Sequence, residues 1–293
     1  MDIKTLSSHK NPEPESRVLY IVSTPIGNLE DISLRALNIL KNVSLIACED
    51  TRQTKKLMSK FQFSNKLVSF NKDNSFSKIP RIIKNLNAGE SIALVSDAGM
   101  PGICDPGEDL IKSARQNGIN IICIPGPCAP LTALVASGFP SSKFIFEGFL
   151  PKKKSEREKI LSNISVNEKT TILFESPHRL IKLLNELKEF CGGTREIKVA
   201  RELTKKFEEH IGNNIDEVLY QLNSKDIMGE FTIVIKGVNR NKKNSQFDNV
   251  KLKIELSELV KAGLTLSSAS KYLAKKNNIS KNLIYNLYKF RVN

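Results

Sequence analysis

The run Ser96-Asp97-Ala98-Gly99-Met100-Pro101-Gly102-Ile103-Cys104-Asp105-Pro106-Gly107 gathers three glycines, two prolines and two aspartates. Glycines let a backbone approach a ligand closely, prolines stiffen a loop, and carboxylates accept hydrogen bonds or attract a cation. The run follows the apolar β-formers Ile92-Ala93-Leu94-Val95 and leads into a helical pattern from Glu108, with Pro106 near its first turn. Connections of this kind usually need about 2–6 residues, so a loop of this length marks a binding loop better than a plain connection.

Three similar clusters stand at the ends of expected strands: Ser23-Thr24-Pro25-Ile26-Gly27-Asn28, Glu49-Asp50-Thr51-Arg52 and Pro125-Gly126-Pro127-Cys128-Ala129. A parallel sheet presents all its strand carboxyl ends on one edge, so these clusters and the glycine-rich run converge there. Two more clusters, Glu175-Ser176-Pro177-His178-Arg179 and Arg201-Glu202-Leu203-Thr204-Lys205-Lys206-Phe207-Glu208, close later strands. If the chemistry is deprotonation of a weak nucleophile, Glu49, Asp50, Glu175 and His178 are the candidate bases. Arg52, Arg179, Arg201 and Lys205 are then the candidate cations for the developing negative charge. Taken singly, each charge is as well explained by surface pairing; as a set at strand ends they favour binding or catalysis.

Other chemistries lack their residues. No Gly-x4-Gly-Lys-Ser/Thr run occurs, and no GxGxxG follows the first strand, which removes the main support for an NTPase or a nicotinamide enzyme. His9, His178 and His210 have no metal-ligand spacing, and the five cysteines contain no CxxC pair, so neither a metal nor a disulfide framework is expected.

The elements that must position these loops follow from periodicity. Strands are expected at residues 18–22, 43–47, 67–70, 92–95 and 119–124, separated by helical patterns such as Ile79, Ile82, Ile83 and Leu86. That alternation implies parallel βαβ units. The break at residues 125–130 places a boundary, residues 144–151 open a second α/β domain, and residues 171–174, 197–200 and 231–235 supply strands of it, some of them antiparallel. The reading is a disordered leader over 1–16, α/β domains over 17–125 and 126–238, a polar linker over 239–250 and a basic helical domain over 251–293. Within that last part, Thr265 and Ser280 stand before helices in a pattern resembling a helix-turn-helix, with Ser280 as N-cap.

The net charge of +14 is unevenly placed: residues 239–293 hold twelve Lys or Arg against three Asp or Glu. This favours a polyanionic partner, with Lys152-Lys153-Lys154 in the basic segment 152–157 as a further contact. No apolar run approaches the roughly 20 residues of a membrane span, and the leader lacks the apolar centre of a secretory signal, so a cytoplasmic protein is expected.

In this order, Thr24-Pro25-Ile26-Gly27-Asn28-Leu29, Glu49-Asp50-Thr51-Arg52, Ser96-Asp97-Ala98-Gly99-Met100-Pro101, Glu147-Gly148-Phe149-Leu150-Pro151, Glu175-Ser176-Pro177-His178-Arg179 and Gly229-Glu230-Phe231 closely resemble the ribosomal RNA small-subunit methyltransferase I family, within the tetrapyrrole methylase-like superfamily. The resemblance implies two α/β domains with S-adenosylmethionine in an inter-domain cleft, a small C-terminal helical domain, and usually a homodimer. It implies 2′-O-methylation of a cytidine in the decoding region of small-subunit ribosomal RNA, with no membrane partner. It also implies that Ser96, Asp97, Ala98, Gly99 and Ile103 line the cofactor, together with Cys128 and Ala129. Tetrapyrrole-modifying relatives carry a GxGxGD block where this chain has Ser23-Thr24-Pro25-Ile26-Gly27-Asn28, which counts against a small-molecule substrate. A non-catalytic RNA-binding assembly factor of the same fold is the other alternative. Naked RNA and an assembled or assembling subunit both fit as substrate, and Glu49, Asp50, Glu175 and His178 all fit as the base.

Overall fold

The computed structural model describes residues 12–223, 226–239, 249–277 and 280–289. The chain divides between Ala129 and Pro130, a few residues later than the break at Pro125 implied, and the C-terminal helices cluster with the second unit.

In the first unit, β1 (Val18–Val22), β2 (Leu45–Cys48), β3 (Leu67–Ser69), β4 (Ile92–Val95) and β5 (Asn120–Ile124) form one parallel sheet in the order β3-β2-β4-β1-β5. β1 and β4 are apolar at every position and buried at every position, because helices cover both faces of a central parallel strand. Helices α1 (Leu34–Asn42) and α2 (Thr51–Lys60) pack Leu37, Leu40 and Leu57 against Val18, Tyr20 and Ala93 on one face. Helices α3 (Ser75–Asn87) and α4 (Glu108–Gln116) pack Ile82, Leu86 and Leu110 against Leu19, Ile21 and Leu94 on the other. β4 therefore sends its chain to one face while its neighbours β1 and β2 send theirs to the opposite face. Such a reversal between neighbouring strands is where open α/β sheets take their ligands.

Side-chain caps start the helices that matter here. Ser33 accepts from the Ala36 N–H at the head of α1, and Asp50 accepts from the Arg52 N–H at the head of α2. The expected loop at residues 49–52 is thus half helix. Part of the expected disordered leader is also anchored. Glu13 forms a two-point pair with Arg35 at 2.7 and 2.8 Å, and the Glu15 N–H donates to the Tyr20 hydroxyl at 2.8 Å. Residues 1–11 of that leader lie outside the described residues.

The second unit opens with α5 (Ala129–Ser137), which crosses the boundary. It builds β6 (Phe144–Phe149), β7 (Thr170–Glu175), β8 (Ile197–Arg201), β9 (Glu209–Ile211) and β10 (Phe231–Ile235) into a sheet ordered β6-β7-β10-β8-β9. Only β6 and β7 are parallel, joined across α6 (Lys154–Val166); β10 runs antiparallel between β7 and β8, and β9 returns antiparallel beside β8. Helices α7 (Pro177–Cys191) and α8 (Ile215–Leu222) bury Leu180, Leu184, Ile215 and Val218 against Leu173, Val199 and Ile233.

The tail forms α9 (Asn249–Lys261), α10 (Leu266–Asn277) and α11 (Lys281–Lys289) around Leu256, Ala269, Leu273 and Ile284. Ser280 Oγ accepts from the Leu283 N–H at 3.2 Å, so the expected cap starts its helix, and Thr265 Oγ1 accepts from the Ser268 N–H at 3.2 Å at the head of α10 in the same way. α11 packs on α6 and α7. Residues 240–248 of the expected linker, and Asn278 and Ile279, lie outside the described residues.

Candidate active site

Four loops latch together at the carboxyl edge of the parallel sheet. Thr24 and Gly99 form an isolated antiparallel bridge: the Thr24 N–H donates to Gly99 O at 2.9 Å, and the Gly99 N–H donates to Thr24 O at 3.0 Å. Thr24 Oγ1 adds a bond to Ser96 O at 3.1 Å, which ties the loop after β1 to the loop after β4. Ser23 Oγ donates to Pro127 O at 2.7 Å, bringing in the segment that carries Cys128 and Ala129. The Asp50 N–H donates to Asp97 Oδ1 at 2.9 Å, with the Asp97 N–H 3.5 Å from Glu49 Oε2 in return.

Glycine is required at two of these joints. Gly99 sits at φ +80°, and a Cβ there would come within 3.3 Å of Ile26 Cγ2. A Cβ on Gly126 would stand 2.9 Å from Ser23 Cβ, so the Ser23–Pro127 bond could not close. Between these joints Asp97 and Ala98 are exposed, Ser96 and Gly99 are buried, Ile103 is exposed, and Cys128 and Ala129 are half-buried. Of the expected cofactor-lining residues, Ser96, Asp97 and Gly99 are thus tied into this rim, and Pro127 brings its neighbour Cys128 to the edge of it.

Beside that rim lies a depression of about 550 Å³ bordered by Glu49, Asp50, Arg52, Asn71 and Lys72. Asp50 caps α2 and grips the Arg52 guanidinium, with Arg52 Nη2 to Asp50 Oδ2 at 2.6 Å; these hydrogen bonds hold the Asp50 carboxyl below its usual range. Partial loss of water around its carboxyl pushes Asp97 up although the residue as a whole is exposed, and the neighbouring Asp50 charge adds to the rise. Asp105 is pushed to about 6, by burial first and then by the charge of Glu49, against a hydrogen bond with Ser96. The rim therefore carries carboxylates spread on either side of their usual range within one loop cluster.

The second unit gathers its candidates on one sheet edge as well. Glu175 ends β7, Arg201 ends β8, and both pair in register with Phe231, which begins β10. Three motif blocks distant in sequence therefore meet at a single row. Arg201 Nε donates to Met228 O at 2.8 Å and its Nη1 lies 3.4 Å from Glu209 Oε2. Lys205 bridges Glu202 at 3.0 Å and Glu230 at 3.1 Å. Burial pulls the Lys205 ammonium down, but the two carboxylates outweigh it and its pKa is raised, so it stays a cation. His178 is exposed in the first turn of α7, and Arg179 Nη2 donates to Leu150 O at 2.8 Å.

Glu175 differs from its expected place as an accessible base. Its side chain has no exposed surface: Oε1 accepts from the Ser176 N–H at 2.9 Å and faces Arg179 Nε at 3.3 Å, and Oε2 faces Arg157 Nη2 at 3.6 Å. Arg157, which on sequence belongs to a solvated basic segment, is itself buried. No sequence signal separates it from Lys152, Lys153 and Lys154, which are exposed. Among the described residues no group of three or more His, Cys, Asp or Glu could hold a metal ion, and no helix is long and apolar enough to cross a membrane.

Residues 18–219 match the family profile described as Tetrapyrrole (Corrin/Porphyrin) Methylases. The chain is 41% identical over 281 residues to the ribosomal RNA small subunit methyltransferase I of Bacillus subtilis, covering 95% of this chain and 96% of that protein. It is 41% identical over 282 residues to the protein of the same name from Vibrio cholerae, covering 96% and 97%. Among solved structures, a cobalt precorrin-4 methyltransferase matches with a TM-score of 0.56 at 15% identity, covering 75% of this chain and 95% of that one. A uroporphyrin-III C-methyltransferase of Thermus thermophilus matches with a TM-score of 0.54 at 17% identity, covering 75% and 94%. At such identities the two structures speak for the fold alone.

Proposed function

Because the chain belongs to the ribosomal RNA small subunit methyltransferase I family, we propose that it moves a methyl group from S-adenosylmethionine to the ribose 2′-oxygen of a cytidine in small-subunit ribosomal RNA. The carrying observation is the match of about 41% identity over nearly the whole of both chains to proteins named for that RNA. The residues of the rim fit the donor. Gly99 and Gly126 keep side-chain bulk out of the loop joints, and Asp97 and Asp105 place acceptors where hydroxyls or an amine can meet them. The missing GxGxGD block after β1 and the basic tail count against a tetrapyrrole substrate.

S-adenosylmethionine supplies the activated methyl group. The chain must align the nucleophile with it, a contribution of roughly 7–11 kcal/mol when reacting atoms are well oriented. A ribose hydroxyl reacts poorly while protonated, so a base must take its proton and a cation must meet the developing alkoxide. Asp50 is committed to Arg52 and Glu175 is shut away from solvent, which leaves Glu49 and His178 as the open acceptors. Arg52, Arg179, Arg201 and Lys205 are the cations available for phosphates or the alkoxide. The exposed lysines of residues 152–154 and the tail hold further phosphates. On the same reading the protein works in the cytoplasm as a homodimer, on RNA within an assembled or assembling subunit.

The test is transfer of tritiated methyl from S-adenosylmethionine to immature small subunits. Label in the RNA is the expected result; absence of label in every assembly state would remove the reading. Calorimetry with the donor alone separates an enzyme, which gives heat of binding, from an assembly factor with a degenerate site.

A further inference from the structure

Arg157 is 4% exposed and Glu175 is 2% exposed, and neither is fully satisfied. Arg157 Nε donates to Glu186 of α7 at 2.6 Å, while Nη2 stands 3.6 Å from Glu175 Oε2. Among the described residues, Arg157 Nη1 and Nη2 and Glu175 Oε2 are buried without a hydrogen-bond partner. Charges removed from water and only partly hydrogen-bonded are a poor way to gain stability, since apolar side chains of similar volume often do as well or better. Packing therefore does not explain this pair, and its neighbours do. The Glu175 carboxylate accepts the Ser176 N–H and forms an ion pair with Arg179, whose Nε stands 3.3 Å away, both in the turn that opens α7 and presents His178. Arg179 in turn reaches Leu150 O, just beyond β6, so one carboxylate links the ends of two strands and the head of a helix.

We propose that Arg157 is a positioning residue for the methyl-transfer reaction: buried behind the end of β7, it holds the Glu175 carboxylate against the head of α7 and so sets Arg179 and the adjoining His178. This rests on the functional reading above. Arg157 is too enclosed to touch RNA, so its effect passes through Glu175. Two guanidinium nitrogens, Nε and Nη2, let it face Glu186 and Glu175 at once. A lysine keeps the charge but presents a single ammonium and has to choose between them.

The experiment uses the full chain with Arg157→Lys and Arg179→Ala, alone and combined, and reads the Arg179 Nε–H by nitrogen-15 NMR beside methyl transfer to small subunits. In the parent that proton is expected to be protected from solvent exchange, and in Arg157→Lys the protection is expected to be lost. Turnover is expected to fall about tenfold or more in Arg157→Lys, as small misplacements do, with donor affinity unchanged. In the Arg179→Ala background the same substitution is expected to cost about twofold or less, because residues acting through one another are not additive. Glu175→Gln, which keeps the volume and an acceptor for Ser176, cuts the link from the other side and is expected to release the same proton; it serves if Arg157→Lys does not fold. An unchanged Arg179 Nε–H, or a turnover loss undiminished without Arg179, would overturn the proposal. A parent that methylates no RNA would defeat the functional reading, and the Nε–H protection would then decide the clamp by itself.

Discussion

The main-chain N–H of Asp50 donates to the Asp97 carboxylate at 2.9 Å, joining the end of β2 to the end of β4 where helices on opposite faces part. A residue of the glycine-rich loop after β4 thereby meets the start of α2, which carries Arg52. Asp97→Ala should open this joint and remove an acceptor from the rim. Donor affinity measured by calorimetry is expected to fall about tenfold or more, or about 1.4 kcal/mol. The melting temperature should move little, since Asp97 is exposed. A parental dissociation constant in Asp97→Ala would take this residue out of the donor site.

Asp105 gives the first unit a pH signature. Its folded pKa is raised to about 6, mainly by burial, whereas an unfolded aspartate titrates near 3.9. Between those values the native chain holds a proton that the unfolded chain has released, so stability falls as pH rises from about 4 to about 6 and levels above. Asp105→Asn removes that slope. The difference in melting temperature between variant and parent is expected to be small at pH 4 and to grow in favour of the variant up to pH 6. A difference that stays constant across the range contradicts the assignment.

Two acceptors compete for the role of base, and substitution separates them. Removing a general base costs about 10²–10⁴ in rate. Either His178→Asn or Glu49→Gln is expected to show a loss of that size in single-turnover transfer at saturating donor, while the other loses far less. Two mild losses would mean that the proton leaves by another route.

Lys153 and Lys154 pair with Glu156 at 2.8 Å and Glu158 at 3.8 Å, but both lysines are strongly exposed, so these pairs hold them weakly. They remain free to exchange a carboxylate for a phosphate. Changing Lys152, Lys153 and Lys154 together to alanine is expected to flatten the dependence of log K on log salt by about 2, given a slope of about −0.7 per phosphate on single strands. An unchanged slope would place these lysines off the RNA.

The strands were legible because burial on two faces leaves a plain mark. Val18-Leu19-Tyr20-Ile21-Val22 and Ile92-Ala93-Leu94-Val95 are apolar throughout, and both fold as central parallel strands. The loops after them stood out by their glycines and prolines, and Thr24, Gly99, Ser96 and Asp97 do come together. Pairings across long separations were hidden. Nothing near Arg157 in sequence announces that Glu175 and Glu186 await it, so a charge beside three lysines reads as one more surface charge. Glu175 misled in the opposite way: a carboxylate at a strand end looks available, and only the fold reveals the two guanidiniums that enclose it. The start of α2 at Thr51 was missed because Asp50, its cap, also belongs to the motif that drew attention as a loop.

The most direct measurement is to methylate small subunits with isotope-labelled donor, recover the ribosomal RNA, and cleave it with alkali. A 2′-O-methylated ribose has no free hydroxyl to attack its own phosphodiester, so its 3′ linkage survives. Label confined to one alkali-resistant dinucleotide that begins with cytidine is the expected result. Label on a base, label in alkali-labile mononucleotides, or none in RNA would contradict the account.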